Sequence, residues 1–307
     1  MKHKIDLVAT LALTGSVLCW STVPIFLKYF TSFIDGWVAN GMRYPFAALL
    51  YIPWLIAFRR AGRLSRHTWK LALLPASINV VSQILWAWTP YFINPGLIAF
   101  LVRLSTLWTV LGSFILFKDE RALARSWPFW SGFFFAICGF IVMTFGTHHS
   151  FGKATTTGIV LVLLTSIGWA GYQLSVRRNM QNIDSRVAFG MISLLTSIGL
   201  LSCMFIFGDT NRAVQMPLHV TVLIFVSGLI GIAAAHLLFY IAIKRIGIAI
   251  ASSANLASAF LTAAFSWFLF HETLTSLQWL AGASLIIGGI LLTRSQVHVR
   301  IVSKKQL

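Results

Sequence analysis

The chain has 307 residues, of which 58% are hydrophobic and 10% charged, and its formal net charge at pH 7 is +17. This composition excludes a water-soluble globular fold and indicates a membrane protein with several spans. In a soluble protein the positive charge would favour nucleic acid as a partner. Here the basic residues lie in short loops between apolar segments, so membrane topology explains them better, and no nucleic-acid partner is expected.

Ten apolar runs follow one another along the chain, each long enough to cross the roughly 30 Å hydrocarbon core of a bilayer as a helix. Short loops separate them, which leaves no room for a soluble domain. The sequence therefore predicts an all-α integral membrane fold with ten transmembrane helices. The predicted spans are residues 7–30, 36–58, 69–91, 97–117, 127–146, 158–176, 187–207, 218–243, 247–270 and 276–293.

The start of the chain and its cysteines exclude some alternatives. Residues 1–4 precede the first apolar run as in a signal peptide, but no small-residue cleavage site follows, so a retained first helix is expected. Cys19, Cys138 and Cys203 all lie within apolar runs, without paired spacing or a nearby cluster of His or Asp. Neither a disulfide framework nor a metal site is indicated, and no cofactor is expected.

The first span indicates a helix with protein neighbours. Trp20 is followed by small hydroxyl residues and by Pro24, which weaken packing against lipid and free backbone carbonyls. A similar pattern returns 149 positions later around Trp169, and residues 38–42 match residues 187–191 at the same offset. The sequence thus predicts two copies of one unit.

Five helices in each copy is an odd number, so the second copy must enter the membrane from the opposite side. This predicts an inverted repeat, a feature typical of transporters, with residues 1–146 and 147–307 as the two five-helix halves. With a cytoplasmic N-terminus, 19 of the 24 Lys and Arg residues fall on the cytoplasmic side. Both termini are therefore expected in the cytoplasm.

Glycines in the last helix of each half are spaced by two helical turns. Gly132 and Gly139 lie on the fifth span, and Gly282 and Gly289 lie on the tenth. Each pair predicts a smooth stripe that lets another helix approach closely, which we interpret as ordinary helix packing.

Several motifs together resemble a known family. They are the run Trp20–Lys28, the stretch Arg43–Leu50, the segment Trp169–Tyr172 with Arg177 and Arg178, and the acids after the fourth and ninth spans. Over nearly the whole chain, their order and spacing resemble EamA-type members of the drug/metabolite transporter superfamily. The resemblance implies a ten-helix inverted-repeat exporter of amino acids or related metabolites, located in a bacterial inner membrane.

The chain departs from the family pattern in one respect. Many members place a proline midway along the fourth and ninth helices, whereas this chain has Ser105–Leu107 and Ala257–Ala259 there. Because neither stretch contains a proline, the sequence does not predict a bend at these points.

Two arginines lie within spans. Arg43 and Arg103 are each roughly 10 Å from the outer end of their helix, at 1.5 Å per residue. Asn79, Gln83 and Trp86 share one face of the third span at the spacing i, i+4, i+7. A charge in a span and the bidentate guanidinium fork favour a carboxylate or phosphate site. The alternative is that both arginines snorkel to the interface.

Aromatic and polar residues are expected at the middle of the membrane. Trp20, Trp108 and Trp169 would form aromatic walls for a flat or amphipathic ligand, unless they only fill helix contacts. His236 and Asn255 form the matching polar layer of the second half, and His236 is more often a packing residue than a proton carrier. The predicted substrate-binding residues are Trp20, Arg43, Asn79, Gln83, Trp86, Arg103, Trp108, Trp169, Tyr172, His236, Tyr240 and Asn255.

The sequence also argues against several chemistries. All seven Asp and Glu residues lie at span ends or in loops, so no intramembrane carboxylate is available to relay protons or bind a drug cation. No phosphate-binding loop and no nucleophile with a placed base is found, so neither an enzyme nor an ATP-driven pump is indicated, and no catalytic residue is predicted.

The resulting prediction is a secondary transporter that moves a small metabolite, such as an amino acid, by alternating access. One alternative is an exchanger of organic anions or phosphorylated metabolites. Another is an integral-membrane enzyme or accessory subunit on the same scaffold. The expected partners are a small-molecule substrate and the lipid bilayer. The sequence leaves open the substrate, the coupling ion, the direction of transport and the oligomeric state.

Overall fold

A computed structural model describes residues 6–118, 121, 125–145, 156–246 and 255–305. Every regular element in these residues is a helix, as the sequence predicts. A 3-10 turn (Thr89–Tyr91) continues the fourth helix, and a π-helix (Leu229–Ala234) joins the eleventh to the twelfth. The α-helices are α1 (Leu7–Phe30), α2 (Gly36–Leu49), α3 (Ile52–Arg60), α4 (Arg66–Trp88), α5 (Pro95–Leu101), α6 (Leu104–Leu116), α7 (Trp127–Phe145), α8 (Thr156–Met180), α9 (Ser185–Phe207), α10 (Thr210–Gln215), α11 (Leu218–Gly228), α12 (Ala235–Ile246), α13 (Ser258–Phe270) and α14 (Ser276–Lys305).

Six helical stretches of the described chain are long and apolar enough to cross a membrane, and α2 with α3 makes a seventh if their 45° bend lies within one span. Three shorter apolar helices lie where the remaining spans are predicted, at Trp127–Val142, Ser258–Phe270 and Ser276–Leu292. The count of ten stays a prediction. So does the boundary at 146/147, which falls outside the described residues. The six stretches are Leu7–Phe30, Arg66–Tyr91, Pro95–Ser113, Thr156–Met180, Ser185–Phe207 and Leu218–Ala242.

The surface of the helices is apolar. Leu11, Val81, Ile198, Phe205 and Phe268, from four different helices, are each more than half exposed. A water-soluble monomer rarely exposes apolar patches on this scale, because exposed apolar area is unfavourable in water. These side chains suit contact with lipid, in agreement with the composition.

Contacts of acidic residues at the helix ends mark the two ends of the bundle. Asp6 caps α1 by accepting a hydrogen bond from the Ala9 N–H (3.0 Å), and its carboxylate pairs with Arg245 at 3.0 Å. These two contacts lower the pKa of Asp6. At the opposite end, Asp35 caps α2 and accepts a hydrogen bond from the Asp209 N–H (2.7 Å). We call the end with Asp6 the near end and the end with Asp35 the far end.

The fourth predicted span and the described part of the ninth, residues 255–270, each contain a break in the helix, although neither break has a proline. The fourth breaks at Val102 and Arg103, between α5 and α6, and the ninth breaks at Leu256 and Ala257, just before α13. At both breaks, i→i−3 hydrogen bonds replace the helical pattern, with Arg103 N–H donating to Phe100 O and Ala259 N–H to Leu256 O. Proline is therefore not needed to interrupt these helices.

Glycines allow α7 and α14 to meet at backbone distance. A Cβ atom added to Gly139 would lie 2.7 Å from Ala281 O and 2.8 Å from Leu285 N. One added to Gly132 would lie 2.9 Å from Leu292 N. The predicted close-approach stripe on the fifth span is therefore confirmed.

On the tenth span a glycine outside the predicted pair faces α7. A Cβ on Gly288 would lie 2.6 Å from Ala136 N, so Gly288 makes the close approach. Gly282 faces the Phe100 ring and Gly289 faces Leu256. Gly282 and Gly289, which are seven residues apart, therefore share a face of α14 that packs against the fourth and ninth spans and not against α7.

Candidate functional site

The candidate site is centred on the π-helix Leu229–Ala234, within the span formed by α11 and α12. A π-helix is commonly a single-turn insertion in an α-helix, and it is frequent at functional sites. Two side chains bind its carbonyl groups. Tyr51 donates its hydroxyl to Ala233 O at 2.9 Å, and His236 Nδ1 lies 2.6 Å from Ile232 O. Tyr51, which precedes Ala233 by 182 positions in the sequence, thus contacts the same backbone segment as His236.

Aromatic rings surround His236. Its imidazole stacks on Phe189 with 4.3 Å between centroids and 21° between planes, and the Trp20 ring meets it edge-on at 5.3 Å. Tyr240 lies 6.4 Å away on the same helix. Because a carbonyl oxygen only accepts hydrogen bonds, Nδ1 carries a proton, and when the ring is neutral Nε2 presents a lone pair.

The predicted tryptophan wall is partly assembled. Trp20, Trp108 and Trp169 all pack against the same cluster of buried apolar residues. Trp108 Nε1 donates to Ser166 Oγ at 3.0 Å, and Trp86 meets Trp169 at 4.9 Å between centroids. These contacts connect α4, α6 and α8, which carry Trp86, Trp108 and Trp169 respectively.

Arg43 lies inside the bundle and does not reach the interface. Only 1% of the residue is exposed. Its Nε donates to Ser227 Oγ at 2.8 Å, and its Nη1 donates to Asn40 Oδ1 at 2.9 Å. Its Nη2 is buried without a hydrogen-bond partner, and within the described chain Arg43 pairs with no acidic residue. The snorkelling alternative is therefore wrong for Arg43.

The predicted polar stripe on the third span joins this network. Asn40 Nδ2 donates to the backbone oxygen of Gln83 at 2.6 Å, which connects α2 to α4 beside Arg43. Asn79 donates to the Tyr44 hydroxyl at 3.2 Å and to Thr196 Oγ1 at 3.1 Å. Asn79 therefore connects α2, α4 and α9. The amide group of its side chain donates both of these hydrogen bonds to other residues of the fold.

Arg103 connects the two interrupted spans. Its Nη2 donates to Ser258 Oγ at 2.6 Å, and its Nε donates to Ala99 O at 3.3 Å. Ser258 in turn donates to Asn255 O at 2.8 Å. Arg103 and Asn255, which are predicted in the matching polar layers of the two halves, therefore meet through one serine. Asn255 Oδ1 is buried without a partner.

The remaining predicted residues are divided between clusters. Tyr240 packs with Tyr44, Tyr51 and Phe189 next to the π-helix. Tyr172 packs against a separate apolar cluster that includes Met191. The predicted set thus forms several neighbouring groups, of which the one around the π-helix holds Trp20, Arg43, His236 and Tyr240.

Sequence reasoning missed some residues of this group. Asn40, Tyr51, Phe189 and Ser227 were not predicted, although all contact Arg43, His236 or the π-helix. Asn40 precedes Arg43 by three residues and so lies on the same helical face, which is a usable signal. No local pattern marks Ser227 or Phe189, because their partners are distant in sequence.

The comparisons agree with this architecture. A solved structure titled "Crystal structure of protein" matches with a TM-score of 0.61 and 16% sequence identity, covering 96% of this chain and 98% of that one, which shows a shared fold. A search of curated proteins found no match. The model of the EamA-like transporter family matches twice, at residues 7–145 and 156–295. The chain therefore belongs to the EamA-like transporter family, a family of membrane transporters in the drug/metabolite transporter superfamily.

Proposed function

We propose that this protein is a secondary transporter that exports a small metabolite, such as an amino acid, by alternating access. It would act in a bacterial inner membrane through ten spans in two inverted halves, with both termini in the cytoplasm. The observation that carries the proposal is the group of side chains at the π-helix, where a histidine, aromatic rings and a buried arginine meet inside a membrane bundle.

This group suits the two charges of an amino acid. His236 Nε2 can accept a hydrogen bond from an ammonium group, and the face of Trp20 can attract the same cation. A Cβ atom on Gly231 of the π-helix would lie 3.4 Å from Arg43 Nη2. Arg43 and His236 therefore adjoin the same six-residue segment, and the unpartnered Nη2 is a donor for a carboxylate.

Flux into liposomes tests the proposal. We expect the purified chain to move at least one member of a panel of amino acids faster than protein-free liposomes do. Trp20→Ala should lower that flux by roughly tenfold or more, since loss of a cation–π contact in a desolvated site costs about 2 kcal/mol. The matched control is Trp267→Ala, because Trp267 is 60% exposed on the lipid side. Equal flux in the two variants would remove Trp20 from the site.

The second candidate is an exchanger of organic anions or phosphorylated metabolites. It is favoured by the buried Nη2 of Arg43, which lacks an acidic partner within the described chain, and by the half-buried position of Arg103. An anionic substrate would supply the missing negative charge, because an unpaired charge within a membrane is costly.

Arg103 separates the two candidates. If it only ties the spans together through Ser258, then Arg103→Gln and Ser258→Ala should lower transport to a similar extent, and the double variant should be no worse than either. Substrate affinity should then change less than threefold. If Arg103 binds an anion, Arg103→Gln alone should lose about 2 to 5 kcal/mol of binding free energy, while Ser258→Ala keeps its affinity. Binding titration on purified variants measures the difference.

A further inference from the structure

A carboxylate at the far end of the bundle is folded back onto its own helix. Glu272 follows α13 in the loop before α14, and it comes directly after His271, whose φ is 54°. His271 is the one non-glycine residue of the described chain with a positive φ. This left-handed turn reverses the backbone, so that the Ser266 hydroxyl, which is 1% exposed, donates to Glu272 Oε2.

The same carboxylate reaches the other half of the chain. The backbone N–H of Gly96, in the first turn of α5, acts on this carboxylate and lowers its pKa. Helices α5 and α13 are closely packed here, since a Cβ on Gly96 would lie 3.8 Å from Ser266 Oγ and from Ala263 Cα. Glu272, through its bond to Ser266, therefore lies where an element of the second half packs against one of the first half.

Lys28 adds a third element to this contact. Its positive charge acts on Glu272, and its Nζ donates to Pro90 O at 3.1 Å, at the end of the α4 segment. The other titratable groups on the neighbouring elements are engaged elsewhere or exposed. Tyr29 meets His219, the Tyr91 hydroxyl donates to Ile34 O, and His271 is exposed.

Burial controls the protonation of Glu272. Desolvation raises the pKa of this carboxyl, and it outweighs Ser266, the Gly96 N–H and the charge of Lys28, which all lower it. A carboxyl that was released into water would return to its ordinary pKa. The buried arrangement therefore binds a proton more tightly than the released one, and acid favours the buried arrangement by linkage.

We propose that Glu272 is a proton-sensitive latch that holds the far ends of the two halves together and is released as the pH rises. A protonated carboxyl keeps an oxygen that can accept from Ser266, so the contact persists in acid. The latch rests on the alternating-access mechanism proposed above, because it assigns a function to opening at the far end. It supplies a titratable group where the spans themselves contain no carboxylate.

Distances between spin labels test the latch without any substrate. The labels are placed on cysteines substituted for Ser32, in the loop between α1 and α2, and for Leu277, in the first turn of α14. Both positions are exposed, and the three native cysteines are replaced. For the full chain in lipid nanodiscs, we expect a short distance at pH 5 and a growing population with a longer distance towards pH 8.

Variants identify the titratable group that causes the change of distance with pH. Glu272→Gln mimics the protonated carboxyl, so the short distance should dominate across the whole range. Asp209→Asn and His219→Gln change other titratable groups at the far end and should keep the response of the parent. Ser266→Ala retains the carboxylate but removes a donor that lowers its pKa, so the transition should move to higher pH.

The latch is overturned if the parent shows no change of distance with pH, or if Glu272→Gln responds as the parent does. If Glu272→Gln does not fold, an unshifted transition in Ser266→Ala overturns it instead. The test is separate from the flux experiment. Loss of the pH response with normal substrate flux removes only the latch, and an absent flux with a normal pH response removes only the proposed substrate class.

Discussion

Replacing Gly139 by alanine is expected to destabilise the protein strongly, although it adds a single methyl group. The new Cβ would lie 2.7 Å from Ala281 O and 2.8 Å from Leu285 N, which are backbone atoms of α14. Backbone atoms within a helix cannot move aside separately, so α7 and α14 must separate over several turns. We expect a loss of about 2 to 3 kcal/mol, at the upper end of the usual cost of overpacking. The measurement is the fraction of folded protein after a graded heat treatment in detergent.

Gly171→Ala is the matched control for this prediction. Gly171 lies within a helix, as Gly139 does, but a Cβ there would meet only Ile78 Cγ2, at an ordinary 3.7 Å. Alanine has the higher helix propensity, so this variant should be unchanged or more stable by about 0.5 to 1 kcal/mol. Equal stability of the two alanine variants would contradict the close backbone contact between α7 and α14.

Arg43→Gln is the second variant with a large expected effect, and this effect should fall on folding. The substitution leaves Ser227 and Asn40, both at most 1% exposed, without the guanidinium donors that they accept from. Each unsatisfied buried group costs about 1 to 3 kcal/mol. Arg43→Lys should not restore stability, because a lysine cannot donate from a rigid fork to two acceptors.

Arg212→Gln is the control for the loss of one guanidinium. The Arg212 side chain is 69% exposed and pairs with Asp209 at 3.3 Å, and exposed ion pairs contribute only about 0 to 1 kcal/mol. Thermal unfolding and substrate titration on the same samples separate the two functions of Arg43. Parent-like stability with lost binding would make Arg43 a substrate ligand and not a structural residue.

Much of the architecture could be predicted from the sequence, because the bilayer imposes a simple rule. Every backbone polar group in a span must be satisfied, so uninterrupted apolar runs of about 20 residues become helices. The same local logic found the glycine stripe of α7, whose seven-residue spacing places Gly132 and Gly139 on one face. It also identified Trp20, Arg43 and His236 as unusual, since polar and bulky residues in a span need partners.

The tertiary structure alone decided which partners these residues have. Arg43 finds Ser227 at a separation of 184 residues, and Arg103 finds Ser258 at 155. A local pattern cannot encode such contacts, because they depend on how distant helices cross. The breaks at Arg103 and Ala257 also form without proline, and there the hydrogen bonds shift to i→i−3.

The sequence by itself thus determined the membrane-spanning helical class, the repeated order of helices and the residues that cannot face lipid. These follow from local hydropathy and from periodicity along one helix. The π-helix at Leu229–Ala234, the aromatic surroundings of His236 and the packing of Ser266, the partner of Glu272, beside Gly96 were decided only by packing between helices. Two carbonyls of this π-helix bond to side chains, one to Tyr51 from the residues before α3 and one to His236 from the next turn of the same span.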